Sequence, residues 1–153
     1  TATKVLEIGV KRGASLRLWQ EVFPNAEVYG VDIDTTAAKL VKGVERITLL
    51  QGSQTDEQFN KEVVAPCGPF DIIVDDASHI AEHQRKGFDY LWGSVKPGGW
   101  YVVEDLYYRN YWPEKQPKEN MMTKLSELID ELNQKCEIYA MYFYYNICFI
   151  QKR

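Results

Sequence analysis

The chain has 153 residues, of which 45% are hydrophobic and 13% aromatic, and a formal net charge of −4 at neutral pH. That length suits one globular domain, residues 1–153, able to bury roughly 70% of its unfolded surface. The acidic balance gives no basic stripe for a phosphate backbone, and no apolar run nears the roughly 18 residues of a membrane span, so neither nucleic acid nor membrane is a favoured partner.

Short β-branched runs alternate with helical patterns, which predicts βαβ units and a mostly parallel, doubly wound sheet with helices on both faces. In chain order, "KVLEIGV" (4–10) is a strand and "SLRLWQEVF" (15–23) a helix with Leu16, Trp19, Val22 and Phe23 on one face. "EVYGVDI" (27–33) is the second strand, "TTAAKLVKG" (35–43) a short helix, and "RITLLQG" (46–52) the third strand. "TDEQFNKEVV" (55–64) reads as a helix capped by Thr55, and "CGPF" (67–70) as a turn before the strand "FDIIVDD" (70–76). A helix from about His79 to Trp92 follows, and "KPGG" (96–99) turns into a fifth strand, "WYVVEDL" (100–106).

The tail breaks this rhythm. Residues 107–122 are aromatic, charged and proline-broken, which suits either a mobile loop over a ligand or an oligomer contact. A helix (123–135) precedes two aromatic strands (136–144 and 146–152) joined so tightly that they must form an antiparallel hairpin. The full pattern is a Rossmann-like seven-stranded sheet, parallel except for that hairpin. Cys67, Cys136 and Cys148 form neither a C-x-x-C pair nor a disulfide framework, which suits a reducing, cytoplasmic setting. The opening "TATKVLEIGV" reads as a core strand rather than a signal peptide, and so abrupt a start suggests that a segment is missing in front of it.

Two constellations carry chemistry. The first is "EIGVKRGAS" (7–15), where glycines end a strand and open a helix, letting backbone N–H groups approach a ligand. The spacing from Gly9 to Gly13 is G-x-x-x-G rather than the G-x-G-x-x-G of pyrophosphate cradles, which disfavours a dinucleotide. Asp32, 23 residues beyond Gly9, ends the second strand where an acid reaches the hydroxyls of a ribose. The plainer alternative is that Asp32 begins a loop and Asp34 caps a helix. Gly52, Ser53 and Gln54 follow the third strand beside the same crevice, as candidates for an adenine edge.

The second constellation is acidic. In a doubly wound sheet the fourth and fifth strands are neighbours, and their ends carry "VDD" (Asp75, Asp76) and "VED" (Glu104, Asp105). Four unpaired carboxylates so placed repel and raise each other's pKa, and a hard cation such as Mg²⁺ or Mn²⁺ relieves that repulsion. Capping by Asp76 or Ser78 explains one carboxylate and not four. His79, three residues past Asp76, has an imidazole suited to removing a proton from a substrate hydroxyl. His83, one helical turn on, fits a supporting or surface position, and Arg85 and Arg109 suggest no role.

These motifs resemble class I S-adenosylmethionine-dependent methyltransferases, whose first motif is an acid followed by spaced glycines, here Glu7, Gly9 and Gly13. The resemblance implies that Gly9 and Gly13 face the methionine portion of the donor, Asp32 its ribose and Ser15 its carboxylate end. Within that class, "DDASH" followed by "KPGGWYVVEDL" is similar to Mg²⁺-dependent macrolide sugar O-methyltransferases and the cephalosporin hydroxylase-like group. By position this implies Asp76, Glu104 and Asp105 as metal ligands, His79 as the base and Asp75 as a residue shaping the crevice or meeting the donor. Ala77 stands where that group has glycine, and the sugar enzymes' amino-terminal domain has no counterpart here, so the acceptor is a small-molecule hydroxyl, with a sugar as one candidate. Alternative readings are a nicotinamide-dependent oxidoreductase, disfavoured by the glycine spacing and the hairpin, and a non-catalytic nucleoside-binding or assembly module.

Overall fold

The computed structural model describes residues 2–34, 36–41, 43–106, 119–132, 134 and 137–153. The expected lid or oligomer contact at 107–122 therefore lies mostly outside the described residues. Seven strands form one sheet: β1 (Lys4–Ile8), β2 (Glu27–Asp32), β3 (Ile47–Gln51), β4 (Phe70–Asp75), β5 (Val95–Val103), β6 (Ile138–Tyr144) and β7 (Ile147–Lys152). Their order is β3-β2-β1-β4-β5-β7-β6, with β7 antiparallel to both of its neighbours and every other pairing parallel. The expected sheet and terminal hairpin are thus present, and strand order reverses between β1 and β4. At that reversal the crossover helices diverge to opposite faces and leave a crevice beyond the strand ends.

Alternation along the strands sorts side chains between the two faces. Leu6, Ile8, Ile73, Tyr101, Val103 and Ile150 point to one face, where α4 (Ala81–Leu91) and α5 (Met121–Glu131) cover them with Phe88, Leu91, Met121 and Leu125. On the other face α1 (Ala14–Val22) and α2 (Thr36–Val41) pack Leu16 and Val41 against Val10 and Val28. Fully burying a side chain of this size contributes about 1.5–3 kcal/mol, so these two layers hold the strand ends in register.

Several boundaries depart from the sequence expectation. Val22, expected on the buried face of α1, is 53% exposed. Asp56, not Thr55, caps the next helix by accepting from Phe59 N at 3.0 Å, while the Thr55 hydroxyl meets Ser53 Oγ. That helix, α3 (Glu57–Phe59), widens at once into a π-turn (Asn60–Val64). β5 begins at Val95, before the glycines at 98 and 99, because Val95 still pairs with Phe70 across a register shift. It ends at Val103, so Glu104 and Asp105 lie beyond the strand. Asn120 caps α5 in a reciprocal box with Thr123.

The helix expected from His79 starts two residues later. Ile80 occupies its cap position without a side-chain cap bond, and Ser78, two residues earlier, accepts from Ile80 N at 3.4 Å rather than from the first turn. His79 instead takes a left-handed conformation at φ 56°, which turns the chain sharply between β4 and α4.

Candidate active site

A cavity of about 260 Å³ lies over the reversal point, lined by Gly9, Asp32, Gly52, Ser53, Gln54, Ala77, Ser78 and His83 among others. Gly9 has φ 95°, and a Cβ there would sit 2.3 Å from the carbonyl oxygen of Asp76. Only glycine lets the loop after β1 pass so close to the turn after β4. Asp32 closes the same loop, accepting from Val10 N at 2.8 Å and Lys11 N at 2.9 Å, while its other oxygen accepts from Asp34 N. Asp34, as anticipated, accepts from Thr36 N and its hydroxyl at the start of α2.

Of the residues singled out for the donor, Gly9, Asp32, Gly52, Ser53 and Gln54 line this cavity, and Glu7, Gly13, Ser15 and Asp75 do not. Gly13, at φ 76°, opens α1. Glu7 is buried behind the loop, where Trp19 Nε1 donates to it at 3.0 Å. Burial pushes its carboxyl up to about 7, against the hydrogen bonds of Ser15 and Trp19, with Asp76 and Glu104 adding repulsion. Asp75 is fully buried and likewise raised to about 7 by burial. The Gln54 carboxamide is engaged within the protein: its nitrogen donates to both Asp75 oxygens, at 3.2 and 3.1 Å, and its oxygen accepts from Ser78 N at 3.2 Å.

At the ends of β4 and β5, Asp76, His79 and Asp105 each present an atom within 4.8 Å of the others. His79 Nδ1 stands 3.5 Å from Asp105 Oδ2 and 3.9 Å from Asp76 Oδ1. Glu104 is outside this triplet, yet close enough that Asp76 and Asp105 repel its charge; burial first and that repulsion second hold its carboxyl above the usual range. The same holds for Asp76, raised mainly by burial, with Asp105 opposing and His79 favouring its charge. Like-charge repulsion, foreseen as the main cause, is therefore secondary to desolvation.

Two supporting residues, Asn146 and Gln84, have no signal in the sequence. Asn146, in the β6–β7 turn, donates from Nδ2 to Asp105 Oδ1 at 2.9 Å. Gln84, buried on α4, donates to the Glu104 carbonyl at 2.7 Å. His83, expected in a supporting or surface position, lines the 260 Å³ cavity, with Nδ1 3.0 Å from Ser78 Oγ. Only the clustering of two histidines hinted at it, and for the other two no local pattern exists. Arg85 proves to be a strut, its Nη1 3.0 Å from Glu127 of α5.

The sequence matches a family of methyltransferase domains over residues 6–106. It is 35% identical to the mycinamicin VI 2''-O-methyltransferase of Micromonospora griseorubida, in a match covering 97% of this chain and 43% of that protein. The demethylmacrocin O-methyltransferase of Streptomyces fradiae is also 35% identical, over 97% of this chain and 44% of its own. The structure of MycE, a methyltransferase of the mycinamycin biosynthetic pathway solved in complex with Mg, SAH and mycinamycin VI, superposes with a TM-score of 0.84 at 34% identity. That match covers 98% of this chain and 44% of MycE, so the chain spans less than half the length of these relatives.

Proposed function

The chain belongs to the family of methyltransferase domains, and on that premise we propose that it is a metal-dependent O-methyltransferase, moving a methyl group from S-adenosylmethionine to a hydroxyl of a small molecule. A sugar hydroxyl of a natural product is the acceptor class we favour, because the relatives reported above carry the names of macrolide-modifying O-methyltransferases. One observation carries the reading: the turn at 75–79 is shared by two sites. Its backbone packs on Gly9 of the donor cavity, and its side chains Asp76 and His79 meet Asp105.

In this reading Gly9 faces the methionine end of the donor, Asp32 the ribose, and Gly52 and Ser53 the base, while Gly13 opens α1 and Ser15 and Glu7 buttress the loop from behind. The donor set of Asp76, Asp105 and the adjacent Glu104 fits a hard divalent cation, Mg²⁺ or Mn²⁺, since it is rich in carboxylate oxygen and its charges repel when left alone. Such a cation, when bound, polarises the acceptor hydroxyl and lowers its pKa. His79 takes the hydroxyl proton on its imidazole, and Asp105, 3.5 Å away, orients the ring and stabilises the cation it becomes. The acceptor oxygen then bonds to the methyl carbon as the carbon–sulfur bond breaks, and the electron pair stays on sulfur. Aligning these atoms is the protein's main contribution.

His79→Ala is expected to lower methyl transfer about 10²- to 10⁴-fold, while calorimetry shows S-adenosylhomocysteine binding near normal. Loss of both together sinks the base role. The tight triplet also favours a second assignment, in which His79 is itself a ligand. Pulsed EPR of Mn²⁺ bound to ¹⁵N-histidine-labelled protein separates the two, since a directly coordinated nitrogen gives resolved coupling.

We take residues 1–153 as a single catalytic domain working in the cytoplasm. The free thiols at Cys67 and Cys148 are consistent with a reducing setting. No described helix is long and apolar enough to cross a membrane.

A further inference from the structure

Gln54 lines the cavity, yet the hydrogen bonds of its carboxamide are made within the protein. It follows β3, is 5% exposed, and directs its whole carboxamide inward. Its nitrogen donates to both oxygens of Asp75, and its oxygen accepts from the backbone N–H of Ser78. Asp75 in turn accepts, at the limit of bonding distance, from Ala77 N at 3.5 Å. One side chain from the loop after β3 therefore bonds to the turn after β4 at Asp75 and at Ser78. Gly87 of α4 shields the pair: a Cβ there would lie 3.3 Å from Asp75 Oδ2 and 3.6 Å from Gln54 Nε2.

The gripped turn needs such support. His79 is in the left-handed region at φ 56°, which a residue with a side chain holds only when its surroundings impose it. The next helix begins without a cap bond from its own N-cap side chain, and Ser78 Oγ meets it through Ile80 N and His83 Nδ1. The turn's remaining described backbone ties run to other strands: Asp76 N donates to Ile8 O at 2.9 Å, and Glu104 N to Asp75 O at 3.0 Å. These fix the Asp75–Asp76 end, and at Ser78 the Gln54 bond to the backbone N–H joins the side-chain bonds of Ser78 Oγ with His83 Nδ1 at 3.0 Å and with Ile80 N at 3.4 Å.

We propose that Gln54 is a positioning residue for the cation and the base: by clamping Asp75 and Ser78 it holds Asp76 and His79 toward Asp105, rather than reading the donor's adenine. The inference rests on the metal-dependent reading above and deepens it. It makes the end of β3, otherwise part of the donor wall, the element that shapes the acidic cluster across the β1–β4 crevice. Buried carboxamide–carboxylate pairs of this kind confer geometry because any departure leaves both groups unsatisfied in a dry setting.

The test measures two affinities on the intact chain, Mn²⁺ by EPR and S-adenosylhomocysteine by calorimetry. Gln54→Met preserves length and removes both hydrogen-bonding ends. It is expected to weaken Mn²⁺ binding at least tenfold and S-adenosylhomocysteine binding less than threefold. Asp75→Asn keeps an acceptor for Gln54, and its Mn²⁺ affinity is expected to exceed that of Gln54→Met by at least fivefold. The proposal is overturned if Gln54→Met loses S-adenosylhomocysteine affinity with Mn²⁺ binding intact, if neither changes, or if Asp75→Asn is as weak for Mn²⁺ as Gln54→Met. Should thermal melts show that Gln54→Met does not fold, Gln54→Asn carries the same pair of groups on a shorter stem and must show the same order of losses, Mn²⁺ before S-adenosylhomocysteine. Absence of Mn²⁺ binding by the unsubstituted chain would instead overturn the metal-dependent reading itself.

Discussion

Glu7 shows how a single residue ties the glycine loop to the stability of the protein. It sits at the fourth position of a five-residue core strand, where its neighbours are fully buried, and Trp19 Nε1 and Ser15 are its hydrogen-bond partners. Because burial raises its folded pKa to about 7 from 4.5, the folded chain holds a proton that the unfolded chain releases. Its contribution is therefore fully present below about pH 4.5 and is lost as pH rises to about 7, worth about 3 kcal/mol over that window. Glu7→Gln is expected to be more stable than the unsubstituted chain at pH 8, with the gap closing toward pH 4.5. Urea unfolding across pH checks this, and a gap that does not change with pH would place the carboxylate in water. The sequence marks Glu7 as part of a donor motif, but only the packing of α1 over it shows that the carboxyl is dry.

At the scale of elements, one carboxylate staples three strands. Asp71, in β4, accepts from Thr3 N and Lys4 N at the start of β1 and from Lys96 Nζ of β5. Burial opposes its charge, but these hydrogen bonds outweigh it and hold its pKa at about 2. Stability from this group is present above about pH 3.8 and is lost as pH falls toward 2. Asp71→Asn is expected to lower stability at pH 7 by about 2 kcal/mol, with the deficit vanishing near pH 2, as followed by circular dichroism during acid unfolding. The staple lies at the end of the sheet opposite the active site, so calorimetric binding of S-adenosylhomocysteine should be unchanged in the same variant. The elements themselves were legible because periodicity reports burial on one face at a time. Their ends were less so: α4 starts at Ala81 rather than His79 because His79 is left-handed, in a turn bonded both locally, through Ser78 Oγ, and to distant Gln54.

Over the whole molecule, the two faces of the sheet are covered unequally. α4 and α5 cover β4, β5 and β7 on one side. On the other, among the described residues, a cleft of about 580 Å³ lies open beside α1, walled by Ile72, Trp100, Tyr142, Tyr144, Ile147 and Phe149. Glu104 stands at its edge, so this apolar floor begins where the acidic cluster ends. A contiguous apolar surface of this kind binds apolar probes. The chain is expected to enhance the fluorescence of an anilinonaphthalene sulfonate dye, and the double variant Tyr142→Glu, Tyr144→Glu to reduce that signal severalfold with little change in melting temperature. Both tyrosines are already about half exposed or more, at 48% and 67%. An undiminished signal would locate the dye elsewhere.

By itself the sequence determined the sheet, its terminal hairpin, the glycine loop with Asp32, and the acidic strand ends, because each is written in local periodicity or in a fixed spacing from a strand end. It also named Asp76, His79 and Asp105, whose meeting follows once β4 and β5 are neighbours. Only the tertiary structure decided which carboxyls are dry, that Glu104 stands outside the triplet, that Gln84 and Asn146 bond to Glu104 and Asp105, and that Gln54 bonds to Asp75 and Ser78. Those bonds join segments distant in sequence, and no local pattern records which residue a fold will carry to another's side.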